Sequence, residues 1–198
     1  MLILASLAIR AALRATRAVG RELRSHLERE GWGSVRSLFF TVGAGFRGTW
    51  QGREAMARYR ARDKSHPPLL LIDVSTRQFE RVRITRAASR RWAWPAGLSF
   101  GLPPRVNLAD TRFEARARSS EILDVIVRDE NTAARLDEFL REREDRIDSK
   151  GGKLRLRRTM LDGKRPGFSF AFRPPADEIE RAVGLAHRLL ESLTARGF

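Results

Sequence analysis

Three segments of the chain alternate arginine with apolar residues, and this two-residue period restricts the fold more than any other feature. The segments are Phe79–Thr85, Thr111–Arg118 and Leu154–Arg158. Successive side chains of a strand point to opposite faces, so each segment predicts a strand with one apolar face and one arginine face. Such strands fit an antiparallel sheet that packs on one face and meets solvent on the other.

Short apolar runs predict further strands. Ser37–Val42 and Leu69–Val74 are apolar and rich in residues that favour strands. Phe168–Phe172 has a two-residue period, and a turn at Asp162-Gly163 would pair it with Leu154–Arg158. Ile122–Val127 fits either a strand or a helix.

Two helices are predicted in the second half of the chain. The first is a charged helix that starts at Asn131-Thr132 and runs to about Asp148, and Gly151-Gly152 prevents it from continuing. The second is an amphipathic helix that covers Ala176–Thr194. The sequence therefore predicts the α+β class. In this arrangement a largely antiparallel sheet is packed on one face by two C-terminal helices, and a basic amphipathic helix stands at the N-terminus.

The first thirty residues differ in character from the rest. Met1–Ile9 is apolar, and arginines then recur every three or four residues. At 100° per residue they form one stripe of a helix, with apolar residues on the opposite side. We predict a basic amphipathic helix over residues 1–30 and a single α+β domain over residues 31–198. The stripe consists of Arg10, Arg14, Arg17, Arg21 and Arg24.

The stripe has several interpretations. A basic amphipathic helix can lie on an anionic membrane surface or bind an acidic protein partner. Nine apolar residues are too few to span a bilayer, which needs about 20, although Met1–Ile9 could be the end of a shortened transmembrane helix. Alternatively, the stripe is the solvated face of a helix that packs on its own domain.

The chain is strongly basic, with 39 Lys and Arg residues against 24 Asp and Glu, and 35 of the 39 are arginine. Because the guanidinium group binds phosphates and carboxylates, the arginine faces of the predicted strands are candidates for contact with an anionic partner, nucleic acid among them. Base stacking is not predicted, since the phenylalanines of Phe168–Phe172 share the phase expected for a core. The alternative is an ordinary solvated face. The candidate residues are Arg81, Arg83, Arg116, Arg118, Arg155 and Arg157.

The composition argues against several kinds of chemistry. The chain has no cysteine, and its three histidines, His26, His66 and His187, are far apart in sequence. Thiolate metal sites and thiol nucleophiles are therefore excluded, and a histidine metal site is not predicted. The serine motif of α/β-hydrolases is also missing. We predict no catalytic residues, no metal and no cofactor.

One motif supports an alternative function, the binding of a nucleotide cofactor. Gly43–Gly48 reads G-x-G-x-x-G, and Asp73 follows at the end of an apolar run, where a ribose-binding acid would lie. Nucleotide-cofactor binding requires a helix directly after the glycines. This hypothesis fails if residues 49–62 form a strand.

From about Phe46 onward the chain resembles an uncharacterised family of bacterial α+β domains that usually follow transmembrane helices. The resemblance rests on Phe46–Arg53, Asp110–Glu114 followed by Ser119-Ser120, Gly152–Arg155, and a helix after Pro174-Pro175. It implies no catalytic residues. We therefore expect a non-enzymatic interaction or scaffold module on the cytoplasmic face of the bacterial inner membrane. The alternative is a soluble cytoplasmic protein that binds nucleic acid or another polyanion.

Overall fold

A computed structural model of the chain describes residues 2–38, 43–61, 67–77, 80–87, 103–106, 108, 112–118, 123, 126, 128–142, 144–160, 174 and 176–197. Their helices are α1 (Leu2–Arg29), α2 (Glu130–Phe139) and α3 (Ala176–Ala195). Nine strands lie within the described ranges: β1 (Trp32–Leu38), β2 (Ala44–Trp50), β3 (Arg53–Arg60), β4 (Leu69–Ser75), β5 (Val82–Arg86), β6 (Arg105–Val106), β7 (Phe113–Arg116), β8 (Arg146–Lys150) and β9 (Lys153–Thr159).

The predicted α+β class is confirmed, with antiparallel strand pairing, an N-terminal helix and two C-terminal helices. Contacts between residues divide the chain into two compact units. Unit 1 comprises residues 1–74 and 159–184, and unit 2 comprises residues 75–158 and 185–198. The first part of α3 therefore belongs to unit 1 and the remainder to unit 2.

Unit 1 is an antiparallel meander in which β1, β2, β3 and β4 pair in chain order. Its core is built across the strands, since Phe46 lies opposite Ala57 and Ala57 opposite Ile72, and all three are buried. The β2–β3 turn consists of Gln51 and Gly52, both with positive φ, as a two-residue type I′ hairpin requires.

Helix α1 packs on β1 and β2 of unit 1. Its buried apolar residues are Val19, Leu23 and Leu27, which recur every four residues and so form one face. Close approach is possible because position 20 is glycine: a Cβ there would lie 3.3 Å from the Ala44 Cβ.

Unit 2 contains the strands β9, β8, β5, β7 and β6, paired antiparallel in that order. One register row of its inner face joins Leu156, Ile147, Ile84 and Ala115, all of them buried. The alternation seen in the sequence thus sorts the strands into an apolar face and a polar face.

Helix α2 and the end of α3 supply the remaining core of unit 2. The Asp129 carboxylate caps α2 by accepting from the Thr132 backbone N–H at 3.0 Å. Leu136 and Phe139 of α2 are buried. The predicted apolar face of α3 is confirmed as buried along its whole length, at Ile179, Val183, Ala186, Leu190 and Leu193.

The prediction of one long helix from Asn131 to about Asp148 is wrong. Helix α2 ends at Phe139, and residues 146–150 form β8. Arginine side chains from two strands satisfy the carbonyl groups at the helix end: Arg158 donates to the Phe139 oxygen at 2.5 Å, and Arg86 to the Leu140 oxygen at 3.1 Å. Tertiary contacts therefore end the helix where the charge pattern would allow it to continue.

The role assigned to Gly151-Gly152 is also corrected. Both residues have positive φ and form the two-residue turn between β8 and β9, so β9 pairs with β8. The predicted partner, Phe168–Phe172, lies outside the described residues, as does the turn at Asp162-Gly163.

Several smaller expectations are decided only in part. The strand predicted at Ser37–Val42 starts earlier, at Trp32, and its residues 39–42 are not described. Within Ile122–Val127, Leu123 and Ile126 are helical and fully buried, and the other residues of that segment are not described.

Candidate anion-binding surfaces

The five arginines at positions 10, 14, 17, 21 and 24 are all exposed on α1, and we call them the arginine stripe. The opposite side of the helix carries the buried Val19 and Leu23. Within the stripe, Arg24 forms an ion pair with Glu28 at 2.8 Å, but both side chains are about half exposed. Such a pair is worth only a few tenths of a kcal/mol, so the positive charge remains available to solvent.

An apolar side chain borders the stripe. Leu13 lies three residues after Arg10 and four before Arg17, and it is 49% exposed, the highest value among the large hydrophobic residues whose side chains are described. A helix surface that combines arginine with exposed leucine is typical of helices that lie at a membrane interface.

The second half of α1 fixes the helix to unit 1. Among its described side chains, Val19 is the first that is buried, and positions 10 and 13–18 are exposed or half-buried. Near the helix end, Arg29 lies within 2.6 Å of His26 Nδ1 and reaches the Glu180 carboxylate at 3.4 Å. Burial, reinforced by the Arg29 charge, lowers the pKa of His26.

No helix in the described residues is long and apolar enough to cross a membrane.

The second surface is the outer face of the unit 2 strands, which carries the predicted strand arginines. Arg83 is central on this face, directly opposite Arg116 on one side and Asp148 on the other. Asp148 accepts from Arg83 Nε at 2.6 Å and lies 2.8 Å from Arg146 Nε. One carboxylate therefore holds two guanidinium groups on neighbouring strands.

Other carboxylates pair with arginines on the same face. Glu114 lies 3.5 Å from Arg116 and 3.9 Å from Arg105. Glu144 pairs with Arg157, whose side chain is only 14% exposed. Three of the six predicted strand arginines, at positions 83, 116 and 157, thus have carboxylate partners on unit 2 itself.

The remaining predicted arginines lie nearer the end of this face at the β8–β9 turn. Arg155 is exposed opposite Asp148, Arg118 is exposed, and Arg81 is half-buried. The structure places Lys150 and Lys153 opposite each other beside them, both exposed. These lysines are not among the predicted residues, because the charge pattern up to about Asp148 predicts a helix. A two-residue period counted back from Lys150 through Asp148 to Arg146 would have placed all three on one face.

The structure overturns the nucleotide-cofactor hypothesis for Gly43–Gly48. Residues 44–50 form β2 and residues 53–60 form β3, so no helix follows the glycines. The glycines instead allow close strand approach, because a Cβ at Gly48 would lie 2.7 Å from the Gly33 carbonyl oxygen. Asp73 is buried and accepts from Arg58 at 3.0 Å.

A shallow pocket of about 300 Å³ lies between α2 and the end of α3 within unit 2. Several of its polar groups bind within the pocket: Asp129 pairs with Arg196 at 2.9 Å, and Arg135 donates to the Arg188 carbonyl oxygen at 2.8 Å and to Ser192. A hydrogen bond from the Thr132 side chain lowers the pKa of Asp129. Asp129 and Arg135 are therefore already engaged by groups of unit 2 itself.

The described residues include no group of three or more His, Asp or Glu side chains placed to hold a metal ion. His187, one of the three histidines that are far apart in sequence, is 2% exposed on α3.

The fold and these surfaces define an α+β protein with an arginine-striped N-terminal helix and an ion-paired sheet face. No protein-family model matches the chain, and a search of curated proteins gives no match. Among solved structures, the crystal structure of the mycobacterial trehalose monomycolate transport factor A, TtfA, is similar at 10% sequence identity and a TM-score of 0.49. The match covers 89% of this chain and 96% of that one.

Proposed function

We propose that this protein is a non-enzymatic interaction module that associates with an anionic membrane surface through the arginine stripe of α1. The observation that carries the proposal is that all five stripe arginines are exposed, whereas the opposite side of the helix packs on unit 1. The family resemblance of the chain from about Phe46 onward supports the cytoplasmic face of the bacterial inner membrane as the location.

The charge of the stripe is sufficient for measurable binding. Each arginine near an anionic membrane contributes about 1 kcal/mol. Five such residues would contribute about 5 kcal/mol at moderate ionic strength, before the cost of association. Polybasic attraction alone is salt-sensitive, and stable anchoring usually needs a second, apolar contribution. The exposed Leu13 and the apolar sequence Met1–Ile9 supply residues of that kind.

Liposome flotation across a salt series tests the proposal. Wild-type protein should float with anionic vesicles and much less with neutral ones. Neutralising three stripe residues by Arg10→Gln, Arg14→Gln and Arg17→Gln should remove about 3 kcal/mol, which lowers the partition coefficient roughly 100-fold. Leu13→Gln should reduce mainly the fraction that remains bound at high salt, because it removes apolar contact without changing the charge.

A matched control distinguishes the effect of the stripe on vesicle binding from the effect of total net charge. The triple variant Arg128→Gln, Arg141→Gln and Arg188→Gln removes the same charge from exposed positions of unit 2. This control should bind anionic vesicles as the wild type does. Equal losses in the two triple variants would show that total charge, and not the stripe, governs binding, and the proposal would then be wrong.

A further inference from the structure

We propose that four cations at the β8–β9 turn end of the unit 2 outer face bind the phosphodiester backbone of a nucleic acid. These residues, which we call the cationic row, are Arg118, Arg81, Lys150 and Lys153. The proposal goes beyond membrane association by α1. Of the six predicted strand arginines it retains Arg81 and Arg118, and it adds Lys150 and Lys153.

The strand register places the four residues side by side. Lys150 lies directly opposite Lys153. Val82 and Ser149 are the last pair of the β5–β8 ladder, and Arg81 and Lys150 are the next residues beyond it. Arg83 and Arg116 are the last pair of the β5–β7 ladder, and extending that register by two residues would bring Arg81 opposite Arg118. The Arg118 backbone N–H donates to the Glu80 carboxylate at 3.0 Å, which confirms that these two segments are adjacent here.

The cationic row differs from the rest of the face in its partners. Elsewhere Asp148, Glu114 and Glu144 lie within ion-pair distance of the arginines. In the described part of the chain, none of the four row side chains has a carboxylate within that distance, and three of them are exposed. Glu80, which accepts from the Arg118 backbone, is the acidic group next to the row. Among the described residues of this face, the row therefore groups four cations whose side chains have no carboxylate within ion-pair distance.

The dimensions of the row match a nucleic-acid strand. Neighbouring strands are about 4.8 Å apart, so four positions span about 14 Å. A duplex strand carries one phosphate per about 3.4 Å of helix axis and winds around that axis, so a straight row about 14 Å long is long enough to contact a few phosphates of the backbone. The described residues of this face include no aromatic side chain to stack on bases. Because the row consists of cations, and contacts with phosphates carry no sequence information, we expect binding that is independent of base sequence.

Fluorescence anisotropy with a labelled DNA duplex, from about 50 to 300 mM salt, tests the site. Four contacts predict a slope of log K against log salt of about −3.6. The row variant (Arg81→Gln, Arg118→Gln, Lys150→Gln, Lys153→Gln) should lose most of that slope and at least about tenfold in affinity at low salt. A second variant, Lys150→Arg with Lys153→Arg, keeps the charge and should bind as the wild type does, which separates charge from disturbance of the turn.

The matched control (Arg36→Gln, Arg128→Gln, Arg141→Gln, Arg188→Gln) removes the same charge from other exposed positions and should retain wild-type binding. Equal loss in the control, an unchanged row variant, or no duplex binding by the wild type would each overturn the proposal. So would a row variant that loses binding to anionic vesicles but keeps binding to the duplex. The Arg10, Arg14 and Arg17 triple variant should bind the duplex normally, so that failure of one proposal is distinguishable from failure of the other.

Discussion

Two leucines of α1 make a matched pair for testing how this helix is held. Leu23 is completely buried against unit 1, whereas Leu13, ten residues earlier on the same helix, is 49% exposed. Leu23→Ala removes buried side-chain atoms and leaves a cavity, which costs about 3 kcal/mol in a site of this kind. Leu13→Ala removes little buried surface and should change the free energy of unfolding by less than about 0.5 kcal/mol.

The expected difference is measurable by thermal unfolding. For a chain of this length 1 kcal/mol shifts the melting temperature by about 2–4 °C, so Leu23→Ala should lower it by about 6–12 °C and Leu13→Ala by no more than about 2 °C. Calorimetry or circular dichroism of the full chain provides the measurement. Melting temperatures that fall equally in both variants, or in neither, would refute the conclusion that Leu23 belongs to the core and Leu13 does not.

Two further predictions concern polar groups. Asp148→Asn leaves Arg83 and Arg146 without their shared carboxylate, and it should lower the free energy of unfolding by about 1–2 kcal/mol in low-salt urea titrations. A loss that did not shrink as salt screens the repulsion between the arginines would contradict this reading. The lowered pKa of His26 means that the unfolded chain binds its proton first as the pH falls, so stability should decrease below about pH 6.5. His26→Gln, which keeps an acceptor for Arg29, should reduce this dependence in melts across pH 5–8, and an unchanged pH profile would contradict the assignment.

The parts of the fold that could be predicted are those in which the spacing of apolar residues is compatible with only one type of secondary structure. In β9, Leu154 and Leu156 alternate with Arg155 and Arg157, and only a strand puts the leucines on one side. Helix α3 has a continuous apolar face over twenty residues, and its observed bounds differ from the predicted ones by one residue. Local pattern and tertiary packing agree in these elements.

The segment after Phe139 could not be predicted in this way. Its charged residues are compatible with the exposed face of a helix as well as with the outer face of a strand. Only Leu140 and Ile147 in this segment are apolar, and no apolar neighbour at a two-residue spacing identifies Ile147 as part of a strand. Its position is fixed by Ile84 and Leu156, its register partners on β5 and β9, which are far away in sequence.

The incorrect prediction of a helix up to about Asp148 also prevented a correct prediction of the ion pairs on the unit 2 outer face. With Asp148 placed on a helix, the sequence offered no partner for Arg83, and the strand arginines looked equivalent. Once β8 lies between β5 and β9, Asp148 neutralises the middle of the face, and Lys150 is brought to its end. The location of a carboxylate, and not the number of arginines, thus decides which cations of this face are ion-paired.

The positions of the carboxylates that pair with arginines also bear on why the chain contains 35 arginines. A bias in composition alone would place arginines without regard to the carboxylates around them. On the unit 2 outer face, however, carboxylates on β7 and β8 and at Glu144 lie within ion-pair distance of most arginines. The first acidic residue of the chain is Glu22, so the stripe from Arg10 to Arg21 has no acid in its own segment. Among the described residues, the stripe from Arg10 to Arg21 and the cationic row are therefore two groups of neighbouring cations for which no carboxylate lies within ion-pair distance. If binding to vesicles and to duplex is abolished by separate sets of substitutions, these are two independent binding surfaces.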